Sequence, residues 1–238
     1  RCRRRARRVG RPLSAAAPAL AAVVFDFDGL VLDTEWCEYV TAAEQFRAHG
    51  TELSLDLWKT FIGTVDHPHW TDILEEQIGR PVDRELIVPS RLAAKDVCNA
   101  DLAPLPGVVP LVDSLRDLGV PIAVASSSSV DHVDGHLDTH GLLDRFPVRA
   151  TGDEVPLTKP DPAVYLLACE RLGVDPTASV AIEDSVNGVT AAKAAGMAAV
   201  AVPGTLTLGM DFAAADLVVG SCVELTPARL AALVADRT

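Results

Sequence analysis

From Ala21 onward, short runs of β-branched and small apolar residues alternate with longer amphipathic stretches, the pattern of a parallel sheet flanked by helices. The runs that read as strands are Ala22–Phe27, Val120–Ala125, Val148–Ala150, Ser179–Ile182, Ala198–Val202 and a short Leu217–Val219. Helical periodicity occupies Val108–Leu118, Val130–Thr139, Pro162–Leu172, Ser185–Ala195 and Pro227–Val234. Glycines just past these stretches (Gly119, Gly141, Gly173 and Gly196) stand where helices close.

One interval breaks the alternation. Residues 34–103 hold no convincing strand and read as helices at Glu35–His49, Ser54–Phe61, Pro68–Ile78 and Arg84–Ala100. About seventy residues between the first two strands far exceed an ordinary strand-to-helix connection. The expected architecture is therefore α/β, a Rossmann-like doubly wound parallel sheet core with an inserted all-helical domain. Residues 21–33 and 104–238 build the core, 34–103 the insert, and 1–20 a basic tail. The loop from Asp28 to Thr34 leads into the insert, and Leu102–Gly107 leads back.

The net charge of −12 hides an asymmetry: seven of the 21 basic residues fall within the first eleven positions. The rest of the chain sets 14 basic against 33 acidic residues, a charge of −19. A body that acidic repels nucleic acid and anionic membrane alike, so a site for a phosphorylated ligand must build its own local positive field. The arginines and the Ala-rich segment to Pro18 read as a disordered tail rather than a targeting peptide, because the apolar part is broken by Pro18 and runs straight into the first strand. No apolar run reaches the length of a membrane span. The five cysteines are scattered, odd in number and without zinc-ligand spacing, which fits a reducing cytoplasm and a fold without staples.

In an open parallel sheet, ligands bind at the carboxyl ends of the strands. Here the first strand ends in Asp26-Phe27-Asp28-Gly29 and the second in Ser126 to Ser129. The third leads to Lys159-Pro160-Asp161-Pro162, and the fourth ends in Glu183-Asp184-Ser185. Each has an ordinary reading: solvated loop acids, a serine turn with an N-cap, a surface lysine, a helix cap. Their conjunction at one edge of one sheet does not.

Taken in order, Asp26-Phe27-Asp28-Gly29, Ala125-Ser126-Ser127, Lys159-Pro160-Asp161-Pro162 and Glu183-Asp184-Ser185-Val186-Asn187-Gly188 resemble the four motifs of the haloacid dehalogenase superfamily. The stretch from Ala191 to Met197 is similar to the helix that follows the fourth motif. The resemblance runs from Val23 to the C-terminus, and the inserted helices resemble the mobile cap of the branch that contains β-phosphoglucomutase and many small sugar-phosphate phosphatases. It implies a phosphatase that attacks a phosphate ester with Asp26, giving an aspartyl-phosphate. It further implies Mg²⁺ held by Asp26, the Asp28 backbone carbonyl, Asp184 and Glu183, with Ser126, Ser127 and Lys159 on the transferring phosphoryl group. Strand alternation lets Asp28 face the same side as Asp26. Partly protonated beside like charge, it would give a proton to the leaving group and later take one from water.

A phosphosugar mutase is the alternative, but mutases carry basic residues around the cap glycine where Ile62 and Asp66 stand, and a His about where Glu38 falls. A non-catalytic phospho-acceptor module is a second alternative, and the inserted helices, suited to enclosing a substrate, argue against it. Candidate substrate contacts in the cap are Glu35, Trp36, Thr64 and His67, with His69 and Trp70 beside them. The expected partner is a small phosphorylated substrate, with no nucleic acid or membrane, bound by a cytoplasmic monomer or weak dimer.

Overall fold

The computed structural model describes residues 20–62 and 68–235. Among them, β1 Ala22–Phe25, β2 Ile122–Ala125, β3 Val148–Ala150, β4 Ser179–Glu183, β5 Ala198–Ala201 and β6 Leu217–Val218 form one sheet. Its order is β3-β2-β1-β4-β5-β6, with every neighbouring pair parallel. The chain winds outward from β1 to β3, returns to place β4 beside β1, and winds outward again to β6. That reversal opens a crevice at the carboxyl ends of β1 and β4, the place where doubly wound sheets bind ligands.

The two faces of the sheet differ in side-chain size. Val23, Phe25, Ile122, Val124, Val180 and Ile182 pack toward α5 (Val108–Asp117), α6 (Val130–Thr139) and α9 (Pro227–Ala235). On the other face Val24, Ala123, Ala125, Ala181, Ala199 and Ala201 meet α7 (Ala163–Leu172) and α8 (Val186–Ala194). Small side chains on this second face let α7 and α8 sit close, and both helices reach the carboxyl end of β4.

Between β1 and α5 the chain forms α1 Thr34–Ala48, α2 Leu55–Lys59, α3 Trp70–Ile78 and α4 Arg84–Ala100. Phe46, Trp58, Trp70 and Leu74 anchor a cluster of their own, separate from the two sheet faces. Leu206, from the loop after β5, is buried in that cluster and ties the cap to the core. The expectation of a fold without staples fails here, because a disulfide joins Cys37 on α1 to Cys98 on α4. At a sequence separation of 61, the pair leaves no spacing signal, and only the packing of α1 on α4 brings the two sulfurs together. No helix among the described residues is long and apolar enough to cross a membrane. The expected tail, up to residue 19, lies outside the described residues.

Candidate active site

Past the end of β1 the amide of Asp26 still donates to the Ile182 carbonyl at 2.9 Å, so Asp26 runs beside the end of β4. Asp26, Glu183 and Asp184 are all buried, and one oxygen from each lies within 4.8 Å of the others. Lys159, delivered by the loop between β3 and α7, is buried against them. Its ammonium donates to Asp26 Oδ1, to Glu183 Oε1 at 2.7 Å and to the Ala125 carbonyl at 2.9 Å, which uses all three of its protons. Glu183 also accepts from the Tyr165 hydroxyl and from Ser185 Oγ at 3.1 Å. Tyr165 was not legible as a site residue, since an aromatic at helical spacing reads as core. It is core and site at once, with its ring 5.0 Å from Lys159 Nζ.

Three buried carboxylates share one ammonium, and their protonation reflects it. Burial first, then the Glu183 charge, push Asp26 above the ordinary carboxylate range against the pull of Lys159. Asp184 moves the same way, through burial and then the charges of Asp26 and Glu183. Burial pulls Lys159 down, but the two carboxylates outweigh it and hold the ammonium above its usual value. A cluster of hard oxygen donors short of positive charge has the chemistry of a site for a divalent cation such as Mg²⁺.

Two glycines make room for the cluster. Gly29 has φ +83°, and a Cβ there would stand 2.3 Å from Asp184 Oδ2. A Cβ on Gly188, at the start of α8, would lie 1.9 Å from the Glu183 carboxylate, which its hydrogen bonds hold in place. Gly188→Ala is therefore expected to cost about 1–3 kcal/mol by overpacking. Gly135→Ala on α6, where a Cβ meets nothing within 4 Å, is expected to hold or gain stability. Thermal melts of the two variants check the contrast.

Asp28 departs from expectation. Its Oδ1 accepts from Thr34 Oγ1 at 2.7 Å and faces His132 Nε2 at 2.7 Å. Its Oδ2 accepts from Ser128 Oγ at 2.7 Å and Ser126 Oγ at 3.1 Å. Burial alone would raise its pKa, but the His132 hydrogen bond and charge, then Thr34 and Ser128, hold it well below the usual range. Against the expected partial protonation, this arrangement favours the ionised form of Asp28. His132 gains in return, with burial outweighed by Asp28 so that its pKa rises. Thr34 and His132 carried no signal in the sequence, and Ser128 only as part of the Ser126–Ser129 run; Thr34 opens α1, while Ser128 and His132 stand four residues apart around the start of α6.

Asp26, Asp28, Ser126, Ser127, Lys159 and Asp184 line one cavity of about 390 Å³ between core and cap. Ser127 Oγ is buried there without a hydrogen-bond partner among the described residues. Of the cap candidates, Glu35 lines the cavity, whereas Trp36 packs near Tyr39 and is not among the lining residues. Thr64 and His67 lie outside the described residues. His69 and Trp70 line the cavity as well, and so does Arg91, which no pattern in the sequence singled out.

Burial first, then the Asp28 and Glu38 charges, push Glu35 up to about 8 from an ordinary value of 4.5. Between those two pH values the folded chain keeps a proton that the unfolded chain has lost, so stability falls as pH rises across the window. Metal-free Glu35→Gln, which cannot titrate, is expected to melt with the wild type near pH 4.5 and roughly 5 °C above it at pH 8. A gap that stays constant with pH would show that Glu35 is not shifted.

Catalytic-type side chains at the switch point of a parallel sheet, enclosed by inserted helices, define a capped α/β hydrolase. Residues 20–196 match the haloacid dehalogenase-like hydrolases, and the chain belongs to that family. The phosphatase-named YhcW of Bacillus subtilis is 42% identical over 211 residues, 89% of this chain and 96% of the relative. Hexitol phosphatase B of Escherichia coli is 30% identical over 224 residues, 87% of this chain and 95% of the relative. A crystal structure of a CbbY variant from Rhodobacter sphaeroides in complex with xylulose 1,5-bisphosphate is 28% identical, with a TM-score of 0.69 over 87% of this chain and 96% of that one. The chain is accordingly an enzyme, a phosphoric monoester hydrolase, and the non-catalytic alternative falls away.

Proposed function

We propose that this enzyme is a Mg²⁺-dependent phosphatase that hydrolyses a small phosphorylated sugar or polyol through an aspartyl-phosphate on Asp26. The observation that carries the reading is the convergence of Asp26, Glu183 and Asp184 around Lys159 at the head of the cavity. Asp26 and Asp184, with the Asp28 carbonyl, would hold the cation, and Glu183, already committed to Lys159, Tyr165 and Ser185, braces them. When bound, Mg²⁺ would supply the charge that keeps the carboxylates ionised beside a phosphate dianion.

Asp26 attacks phosphorus, and the ester P–O bond breaks as the acyl-phosphate forms. Ser127, whose hydroxyl has no partner among the described residues, donates to the phosphoryl oxygens as their charge grows, joined by Ser126 and Lys159 as each turns a proton from its present acceptor, Asp28 and Asp26, to the phosphoryl group. The departing alkoxide takes the proton that His132 shares with Asp28, relayed through the Asp28 carboxylate once Oδ2 has exchanged its Ser126 and Ser128 partners for the reacting group. Water then attacks phosphorus, Asp28 receives its proton, and inorganic phosphate leaves with Asp26 restored. The names of the relatives, a hexitol phosphatase and a CbbY that holds a sugar bisphosphate, support a sugar-derived substrate.

The reading is tested by phosphate release from pentose, hexose and hexitol monophosphates. Turnover is expected with Mg²⁺, loss of all but a trace with excess chelator, and recovery on returning the metal. Full activity in chelator would remove the metal from the reading, and conversion of glucose 1-phosphate to glucose 6-phosphate faster than phosphate release would replace phosphatase with mutase.

A further inference from the structure

In the cavity that the catalytic acids line, the cap presents a charged pair the sequence did not announce. Arg91 on α4 is buried, and its Nη2 donates to Glu38 Oε2 and, at 2.8 Å, to the Glu38 carbonyl on α1. Its guanidinium lies over the Trp70 ring, 5.4 Å from the centroid, while its buried Nε has no hydrogen-bond partner among the described residues. Lys95 donates to the other Glu38 oxygen at 2.7 Å. Both Glu38 and Arg91 line the cavity, as do Trp58 and Trp70.

We propose that the Glu38–Arg91 pair reads adjacent hydroxyls at the end of the substrate remote from the reacting phosphate, selecting neutral polyhydroxylated monophosphates against substrates with a second phosphate there. The proposal rests on the phosphatase reading and names its substrate class. A guanidinium edge beside a carboxylate offers a donor and an acceptor side by side. A pair of neighbouring hydroxyls matches this, one accepting from Arg91 and the other donating to Glu38. A second phosphate has only acceptors and would meet the Glu38 oxygens head on.

Charge points the same way. The carboxylates lining the cavity are Asp26, Asp28, Glu35, Glu38 and Asp184, against Arg91 and Lys159 as its only lysine or arginine among the described residues. Lys159 is bound within the catalytic cluster and Arg91 is paired with Glu38, so a remote dianion finds no uncommitted cation among them. Trp58 and Trp70 add apolar lining for a carbon skeleton, and a cavity of about 390 Å³ is at the small end of ligand sites.

The test compares fructose 6-phosphate with fructose 1,6-bisphosphate in wild type, Glu38→Gln, Arg91→Lys and Arg91→Met, with p-nitrophenyl phosphate as a probe lacking hydroxyls. Wild type is expected to favour the monophosphate at least about tenfold in kcat/KM. Glu38→Gln, which keeps the side chain's shape, and Arg91→Met are expected to raise KM for fructose 6-phosphate about 10- to 100-fold, with kcat nearly constant. Arg91→Lys keeps the charge but not the fork, and is expected to show the same rise in KM. Glu38→Gln should also narrow the preference over the bisphosphate. Equal use of the two fructose phosphates by wild type, or an unchanged KM in Glu38→Gln, overturns the proposal while leaving the phosphatase reading intact. Failure of wild type to hydrolyse even p-nitrophenyl phosphate with Mg²⁺ overturns the phosphatase reading itself.

Discussion

Asp26→Asn is expected to lower kcat/KM by about 10⁴-fold or more while raising the melting temperature of the metal-free protein. The first effect follows from the amide oxygen being unable to form the acyl-phosphate; removing a nucleophile that no neighbour replaces costs losses of this order. Glu183 cannot substitute, because its oxygens are engaged by Lys159, Tyr165 and Ser185. The second effect follows from the raised pKa of Asp26. A carboxyl whose folded value lies above its unfolded value loses stability as pH climbs from the unfolded to the folded pKa, and an amide has no such loss. Lys159 keeps Glu183 Oε1 and the Ala125 carbonyl as acceptors, so the variant still folds around it. The gain should be largest near neutral pH and should shrink when Mg²⁺ is added, because the variant has lost a ligand for it. Phosphate release, with melts in chelator and in Mg²⁺, reads both effects. Turnover within tenfold of wild type would remove Asp26 as nucleophile.

The parts of this molecule that were legible are those whose physics is local. The strand ends carrying Asp26 and Glu183 follow from apolar runs that stop at acids, and the helices Val130–Thr139 and Arg84–Ala100 have the bounds their periodicity predicts. The first strand ends at Phe25 rather than Phe27, because the chain curls there: Gly29 N turns back to donate to the Leu32 carbonyl at 2.8 Å. What was not legible depends on distant elements meeting. Arg91 stands in the helical stretch Arg84–Ala100 with no signal of its own, yet α4 turns it inward onto Glu38 and Trp70. Asp28 reads as one of two repelling acids, and it is His132, more than a hundred positions along the chain, that reverses its protonation. Leu206 follows β5 in an ordinary loop, and its burial in the cap follows from no pattern of its own. Charge sign and periodicity identify candidates; the partner that sets each one's state comes from topology.

Lys159→Met tests that dependence at its strongest point. The thioether chain fills much of the same tunnel beside Tyr165 but leaves the Ala125 carbonyl, Asp26 and Glu183 without their shared donor. Breaking a buried ion pair by removing one partner costs roughly 3–5 kcal/mol, which for a chain of this size is a melting temperature about 10 °C lower. The sign with pH is fixed. Asp26, whose pKa already stands at about 8, can shed uncompensated charge only by keeping its proton, so the deficit should be smaller on the acid side of that value and grow as pH climbs through it. Adding Mg²⁺ should recover part of the loss, since a cation beside Asp26 replaces some of the missing charge, whereas wild type gains less. Activity should not recover with it. Lys159 also donates toward the transferring phosphoryl group in the proposed reaction, and losing such a donor lowers turnover about 10²- to 10³-fold. A variant that melts with the wild type at pH 7 would mean that the cluster does not need its ammonium, and the charge balance drawn here for the whole site would fail with it.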